Sequence, residues 1–465
     1  MQATKLIGTV AAGGFAIVLT QAGVLPLGGD CDILSPGPDV IVGDLPDIQK
    51  WGTVGDITAY SFATTSCNVG DEVLAWFATT NEHPVIGQHL YRLKDRRFEQ
   101  LGISWVKHGF GALAQNLCCT CRDPGTFDYL GVGCSDPYTT GLNGDQDGFP
   151  GFAGLGPRSE INASTGFFIF PYGSQGKSGD AIYKRLQVHN DDLDPALNEG
   201  ALYFGEGHYV TPHDAAAGNQ NNNAAYRQVM VGSFTGGGWN LSFIGSTQRQ
   251  QPALQAWQDV DPSITLVPLD IPDDGRFTLG YDCWDNGDGT WHYEYALYNM
   301  NSHRSGRSFS VPIPPGVTVS NVGFHDVEHH SGEPYDGSDW KAEIVDNHLL
   351  WFTQSFEENA NANALRWGTL YNFRFDSDGP PGSAEVTLAL FRPGAPDSVT
   401  ISSCGPQVIG CIGDLDGDGS VGASDLLSLL ASWGPCKGCA ADFDGNGNVG
   451  ASDLLTLLAN WGPCP

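Results

Sequence analysis

Two short stretches near the end of the chain place oxygen-bearing side chains at alternate positions. Residues 414–425 read DLDGDGSVGASD, and residues 442–453 read DFDGNGNVGASD. A hard divalent cation such as calcium takes oxygen ligands from positions 1, 3, 5, 7, 9 and 12 of a twelve-residue loop, with Gly at position 6 for the sharp turn. The first stretch supplies Asp414, Asp416, Asp418, Ser420 through its backbone carbonyl, and Asp425. The second supplies Asp442, Asp444, Asn446, Asn448 through its carbonyl, and Asp453. Gly419 and Gly447 fall at position 6. Position 9 is Gly422 or Gly450, so a water must serve there. Position 12 is Asp, one methylene shorter than the usual Glu. A charged surface turn would not reproduce the Gly and the closing carboxylate twice at an offset of 28 residues. The chemistry expected is the binding of two Ca2+ ions.

The elements that must hold these loops are helices on their C-terminal side. "DLLSLLASW" and "DLLTLLANW" put Leu426, Leu430 and Trp433, and again Leu454, Leu458 and Trp461, at helical spacing. Ser424 and Ser452 are candidate caps, and Asp425 and Asp453 in the first turn suit the helix dipole. Each helix meets Trp-Gly-Pro, a stop signal. The segments before the loops are broken by Gly and Pro, so no entering helix is expected. One such unit cannot cover its own Leu/Trp face; two packed face to face can. Residues 411–465 therefore resemble a type I dockerin module, the tandem calcium loop–helix domain at the C-terminus of exported bacterial proteins. The resemblance implies calcium-dependent docking to a cohesin-type domain through the loop ends, here Ala423, Ser424, Ala451 and Ser452. The shared "VGASDLL" lets such a partner bind in either of two orientations. It also brings the expectation of a polysaccharide-linked setting. The chain departs from the family in its offset and in four added cysteines. Cys411…Cys436 and Cys439…Cys464 share one spacing, suggesting one disulfide per repeat; the alternative is Cys411–Cys464 with Cys436–Cys439.

The remaining 400 or so residues read differently. Lys+Arg number 22 against 53 Asp+Glu, a net charge of −31, which repels phosphate backbones and argues against nucleic-acid binding. Residues 1–22 read as a signal peptide, and no later run is long enough to span a membrane. The protein is expected to be secreted or held at the cell surface. Twelve cysteines in an exported chain point to disulfides, and "CCTC" with Cys134 reads as a disulfide-pinned loop before a thiolate metal site. Short alternating strands and turn signals predict a mainly β chain with antiparallel sandwich domains. A β-rich region is expected over 32–270, a β-sandwich over 271–402, a linker over 403–410 and the small helical calcium-binding domain over 411–465. "DNGDGT" between "RFTLGYDCW" and "WHYEYALYNM" predicts a hairpin.

The body offers no G-x-S-x-G elbow and no H-E-x-x-H helix. Glu206, His208, His213 and Asp214 form one polar group, and His325, Asp326, Glu328, His329 and His330 another. On a strand, His325 and His329 stand about 13 Å apart, so loop polarity is the simpler reading of both groups. No catalytic residue is assigned. Twelve Trp and 15 Tyr supply rings for a sugar platform, though most belong to the core of so β-rich a chain. The favoured reading is a non-catalytic body for glycan or protein binding, docked through the tail. The alternatives are a tethered polysaccharide-degrading enzyme, and calcium with disulfides as staples without a cohesin partner.

Overall fold

The computed structural model describes residues 34–149, 152–330, 332–408, 412–436 and 438–464. The expected signal peptide, Cys31 and Cys411 lie outside the described residues. The chain is mainly β, in antiparallel sheets.

A seven-stranded sheet organises the first half. Its centre pairs β1 (Val85–Lys94) with β3 (Leu202–Val210), in register from Val85↔Val210 to Leu93↔Leu202. β2 (Arg97–Ile103) folds back on β1, while β4 (Ala224–Thr235) and β5 (Gly238–Gln248) extend the other side. Side chains alternate between faces, and here both faces are covered. Leu90 and Tyr203 point to one apolar cluster, completed by Tyr60, Phe62, Leu186 and Val188 of a small three-stranded sheet. Their neighbours Tyr91 and Phe204 point to another, shared with Ala296, Tyr298 and Leu370 from the second half. That double burial explains why "PVIGQHLYRL" is buried almost throughout, its polar Gln88 and His89 included.

The second half is a sandwich of two five-stranded sheets. One runs β6 (Thr265–Asp270), β7 (Arg276–Asp285), β8 (Trp291–Asn299), then β13 (Thr369–Ser377) and β10 (Val319–His325). The other runs β11 (Lys341–Val345), β12 (His348–Phe352), β9 (Gly306–Pro312), β14 (Pro381–Leu390) and β15 (Ser398–Pro406). Tyr293, Tyr295, Phe373 and Phe375 interdigitate between them with Phe309, Trp351 and Leu388. The loop after β7 is the expected hairpin, with Asn286 N–H bonded to Thr290 O. Two expected boundaries move. β6 begins before residue 271, and residues 403–406 belong to β15 rather than to a linker. The expected division at 270 crosses a shared core: Gln100 bonds Gly368 O and Leu370 N, and Asn372 bonds Phe98 O.

Disulfides staple the fold. Cys67–Cys118 and Cys121–Cys134 pin the cysteine loop, and Cys119 is disulfide-bonded too. Cys283–Cys404 joins β7 to β15, one sheet to the other, across a sequence separation of 121. Removing a native disulfide typically costs about 2–5 kcal/mol. A Cys283→Ala/Cys404→Ala chain should therefore unfold at distinctly lower urea; an unchanged midpoint would show that sheet packing alone sets the sandwich's stability.

Candidate metal centres and docking face

The tail holds two helices, α1 (Ala423–Ala431) and α2 (Ala451–Ala459). Each follows one of the acidic loops. The two loops have nearly the same internal bonding. Asp414 accepts from Gly417 N and Gly419 N at 2.7 and 3.0 Å, and Asp442 accepts from Asn446 N and Gly447 N at 3.1 and 2.8 Å. Gly417, Gly419, Gly445 and Gly447 all have φ between +69 and +87°, which a Cβ would oppose. Asp425, fully buried, ties loop start to loop end. It accepts from Leu415 N at 2.7 Å, Asp416 N at 3.2 Å and Gly422 N at 2.8 Å. Asp453 does the same with Phe443, Asp444 and Gly450. These backbone donors, Gly422 foremost for Asp425 and Gly450 for Asp453, hold both carboxyls below the usual carboxylate range. The bond from the aspartate back to the N-cap amide is half of a capping box. The caps are Gly422 and Gly450, so Ser424 and Ser452 lie inside the helices and make no cap bond.

Ligand oxygens of Asp414, Asp416 and Asp418 lie within 4.8 Å of one another, as do those of Asp442, Asp444 and Asp453. Like charges so close repel by roughly 1 kcal/mol per pair even in water, and by more at lower dielectric. An all-oxygen donor set fits a hard cation such as Ca2+. The first close group holds loop positions 1, 3 and 5, and the second holds positions 1, 3 and 12. Among the described residues, no other three or more His, Cys, Asp or Glu converge in this way.

How the repeats pack differs from expectation. Leu429 and Leu457, with Val421, Val449 and Ala441, form the buried centre; Leu426 and Leu454 pack partly against it. Leu430 and Trp433 are 47 and 50 % exposed, and Leu458 and Trp461 are 47 and 49 % exposed. Four leucines in each helix allowed two stripes at helical spacing. The choice is made by Val421 and Val449 at loop position 8, which fix each helix's rotation. Ser420–Val421 pairs with Gly462–Pro463, and Asn448–Val449 pairs with Gly434–Pro435. The Gly-Pro after each helix is thus the β partner of the other repeat's loop. Leu427 and Leu455, missed in the sequence reading, are 68 and 67 % exposed. They continue the faces begun by the exposed Ala423 and Ser424, and by Ala451 and Ser452. The only sign of them in the sequence was the Leu-Leu doublet.

One disulfide per repeat does not hold. Cys436 pairs with Cys439, and Cys464 is also disulfide-bonded. The short Cys436–Cys439 link closes the turn between the repeats.

In the body the polar groups scatter. Glu206 and His208 are buried on β3, whereas His213 and Asp214 sit in the short helix Pro212–Ala217, where Asp214 accepts from Val40 N and Asn223. His325 bonds Gln100 O, His330 bonds Ile182 O, and His329 lies against Tyr335. A cleft of about 230 Å3 between the halves is lined by His189, Asp192, His325, Asp326 and Glu328, without a Phe, Tyr or Trp. Trp76, Trp105, Trp257 and Trp351 are fully buried. No helix among the described residues is long and apolar enough to cross a membrane.

No protein-family model matches the chain, and neither does any curated protein. Among solved structures, the N-terminal domain of the Streptococcus gordonii adhesin Sgo0707 aligns at 7 % identity with a TM-score of 0.18, over 76 % of this chain. The alignment spans 61 % of that chain's length, and a likeness this slight bears on neither fold nor function.

Proposed function

We propose that the tail is a calcium-dependent docking module and that the β-rich body is the non-catalytic cargo it holds outside the cell. The observation that carries this reading is the symmetric pair of exposed faces. Ala423, Ser424, Leu427 and Leu430 on α1 have counterparts in Ala451, Ser452, Leu455 and Leu458 on α2. A patch of half-exposed leucines on so small a domain is unusual without a partner. Its occupant is a cohesin-type domain, as the resemblance to type I dockerins implies. Bound calcium would neutralise the Asp414–Asp418 and Asp442–Asp453 carboxylates and set the angle at which each helix start is presented. The disulfides suit an oxidising extracellular compartment. The near-identity of the faces supports two docking orientations.

The test is titration of the intact protein with a purified cohesin domain, in calcium and in chelator. Binding in calcium and a loss of 100-fold or more in chelator is expected. Leu427→Asp or Leu455→Asp alone should leave binding through the other face, and the double change should abolish it. Calcium uptake without cohesin binding would reject docking while leaving the metal assignment standing. A single change that abolishes binding would reject the second orientation.

A further inference from the structure

The sandwich leaves one of its sheet edges open. Of its edge strands, β6 carries Pro268, β10 is interrupted by a bulge between Ser320 and Gly323, and β15 is bridged to the other sheet through Cys404. Prolines and bulges are common devices against pairing at an edge. β11 has neither. Its register with β12 runs unbroken from Lys341↔Phe352 to Val345↔His348. All five of its residues are exposed, Ile344 to 58 %.

The bonding of the neighbouring strand shows which backbone groups of β11 are spare. Ile313 N donates to Asn347 O and Thr353 N donates to Arg307 O, so the odd-numbered residues of this stretch turn to β9. Bonding direction alternates along an antiparallel strand. The even-numbered His348, Leu350 and Phe352 therefore turn to β11, where they meet Val345, Glu343 and Lys341. Ala342 and Ile344 are left with N–H and C=O pointing outward. Among the described residues, nothing bonds these groups.

A further strand can join here only by turning its own outward groups to Ala342 and Ile344. For a second copy of β11, antiparallel about a two-fold axis, that leaves registers centred on Ala342, Glu343 or Ile344. Centred on Glu343, the two Glu343 carboxylates stand opposite each other. Centred on Ile344, Glu343 faces Val345 and Lys341 faces Asn347, so no charges pair. Centred on Ala342, Lys341 of each copy stands opposite Glu343 of the other, twice over. Those pairs fall at the positions without hydrogen bonds, where opposed side chains are closest. Opposite charges there attract and like charges repel.

We propose that β11 is a contact between two copies of this chain, whose sandwiches join edge to edge about a two-fold axis at Ala342. The run Lys341-Ala342-Glu343 is complementary to itself in that register alone. The sheet then continues from one copy into the other. A contact of five residues a side belongs to the small, transient class of interface. On the docking reading, the dimer offers a partner two tails and so a bivalent hold; the contact itself does not rest on that reading.

Sedimentation equilibrium of the intact protein over a range of concentrations tests the proposal. A reversible monomer–dimer equilibrium is expected. Ala342→Pro removes an outward N–H that the chain's own sheet does not use, so the fold should stand and the dimer should be lost. Lys341→Glu sets like charges opposite each other twice and should weaken association about tenfold. Lys341→Glu combined with Glu343→Lys restores the opposite charges and should restore the dimer. Should the proline variant fail to fold, by circular dichroism, the charge exchange decides. A monomer at every concentration would overturn the proposal, as would a dimer indifferent to the charge reversal and its rescue. A dimer lost only when Leu427→Asp and Leu455→Asp are combined would also overturn it, by placing the contact on the tail.

Discussion

Replacing Glu206 with alanine is expected to destabilise the body by about 4 kcal/mol or more, among the largest effects of any single substitution here. Glu206 is fully buried on β3, at the layer shared by the first half and the sandwich. Its carboxyl gathers four donors: His89 Nδ1 at 2.6 Å, Tyr298 OH at 3.0 Å, Tyr91 OH at 3.4 Å and Ala253 N at 2.5 Å. Burial drives the His89 pKa well below its ordinary value, with the Arg158 charge adding to it, so His89 is neutral and donates through Nδ1. Deleting the acceptor strands four buried donors, each costing about 1–3 kcal/mol if nothing replaces it. It also opens a cavity. Glu206→Gln should cost less, because an amide oxygen retains part of the set. Urea unfolding followed by tryptophan fluorescence measures both. If the alanine chain unfolded within about 1 kcal/mol of the parent, the network would not be the joint between the halves.

On the proposed calcium assignment, removing the ion should have the second largest effect, confined to the tail. With the ion at 100 times its dissociation constant, one site contributes about 2.7 kcal/mol, so two independent sites contribute roughly twice that. Calorimetric titration is expected to count two ions in the parent. Asp418→Ala and Asp425→Ala should each count one, for different reasons. Asp418 lies in the close carboxylate group of the first loop and accepts only from the nearby Ser420 N–H and hydroxyl, in the exposed loop itself, so its loss should chiefly weaken metal binding. Asp425 also accepts from three backbone N–H groups that close the loop. Its alanine variant should therefore lower the tail's unfolding midpoint in chelator by more than Asp418→Ala does. If both variants still bind two ions, the ligand assignment fails.

What could be seen in the sequence depended on whether the cause was local. The tail loops were legible because ligand spacing, the turn glycines and the closing carboxylate all lie within twelve residues. The strand pattern of the sandwich was legible because alternation is local too. The helix rotation was not, since it is set by Val421 meeting Gly462 and Val449 meeting Gly434 across the repeats. The choice between two disulfide patterns was equally beyond spacing. In the body, Glu206 meets His89 from 117 residues away. No period or motif marks such meetings. The apparent boundary at 270 misled because β6 and the Trp257 cluster use the same surface from both sides.

The crossed pairing of the tail has a consequence for how it breaks. Each loop is completed by residues beyond the other helix. A cut between the repeats would then remove no contact from either. In sequence, Lys437 falls between Cys436 and Cys439, which are joined to each other. A chain nicked there stays covalently whole until a reductant arrives. Cleavage between the repeats leaves both crossed loop pairings in place.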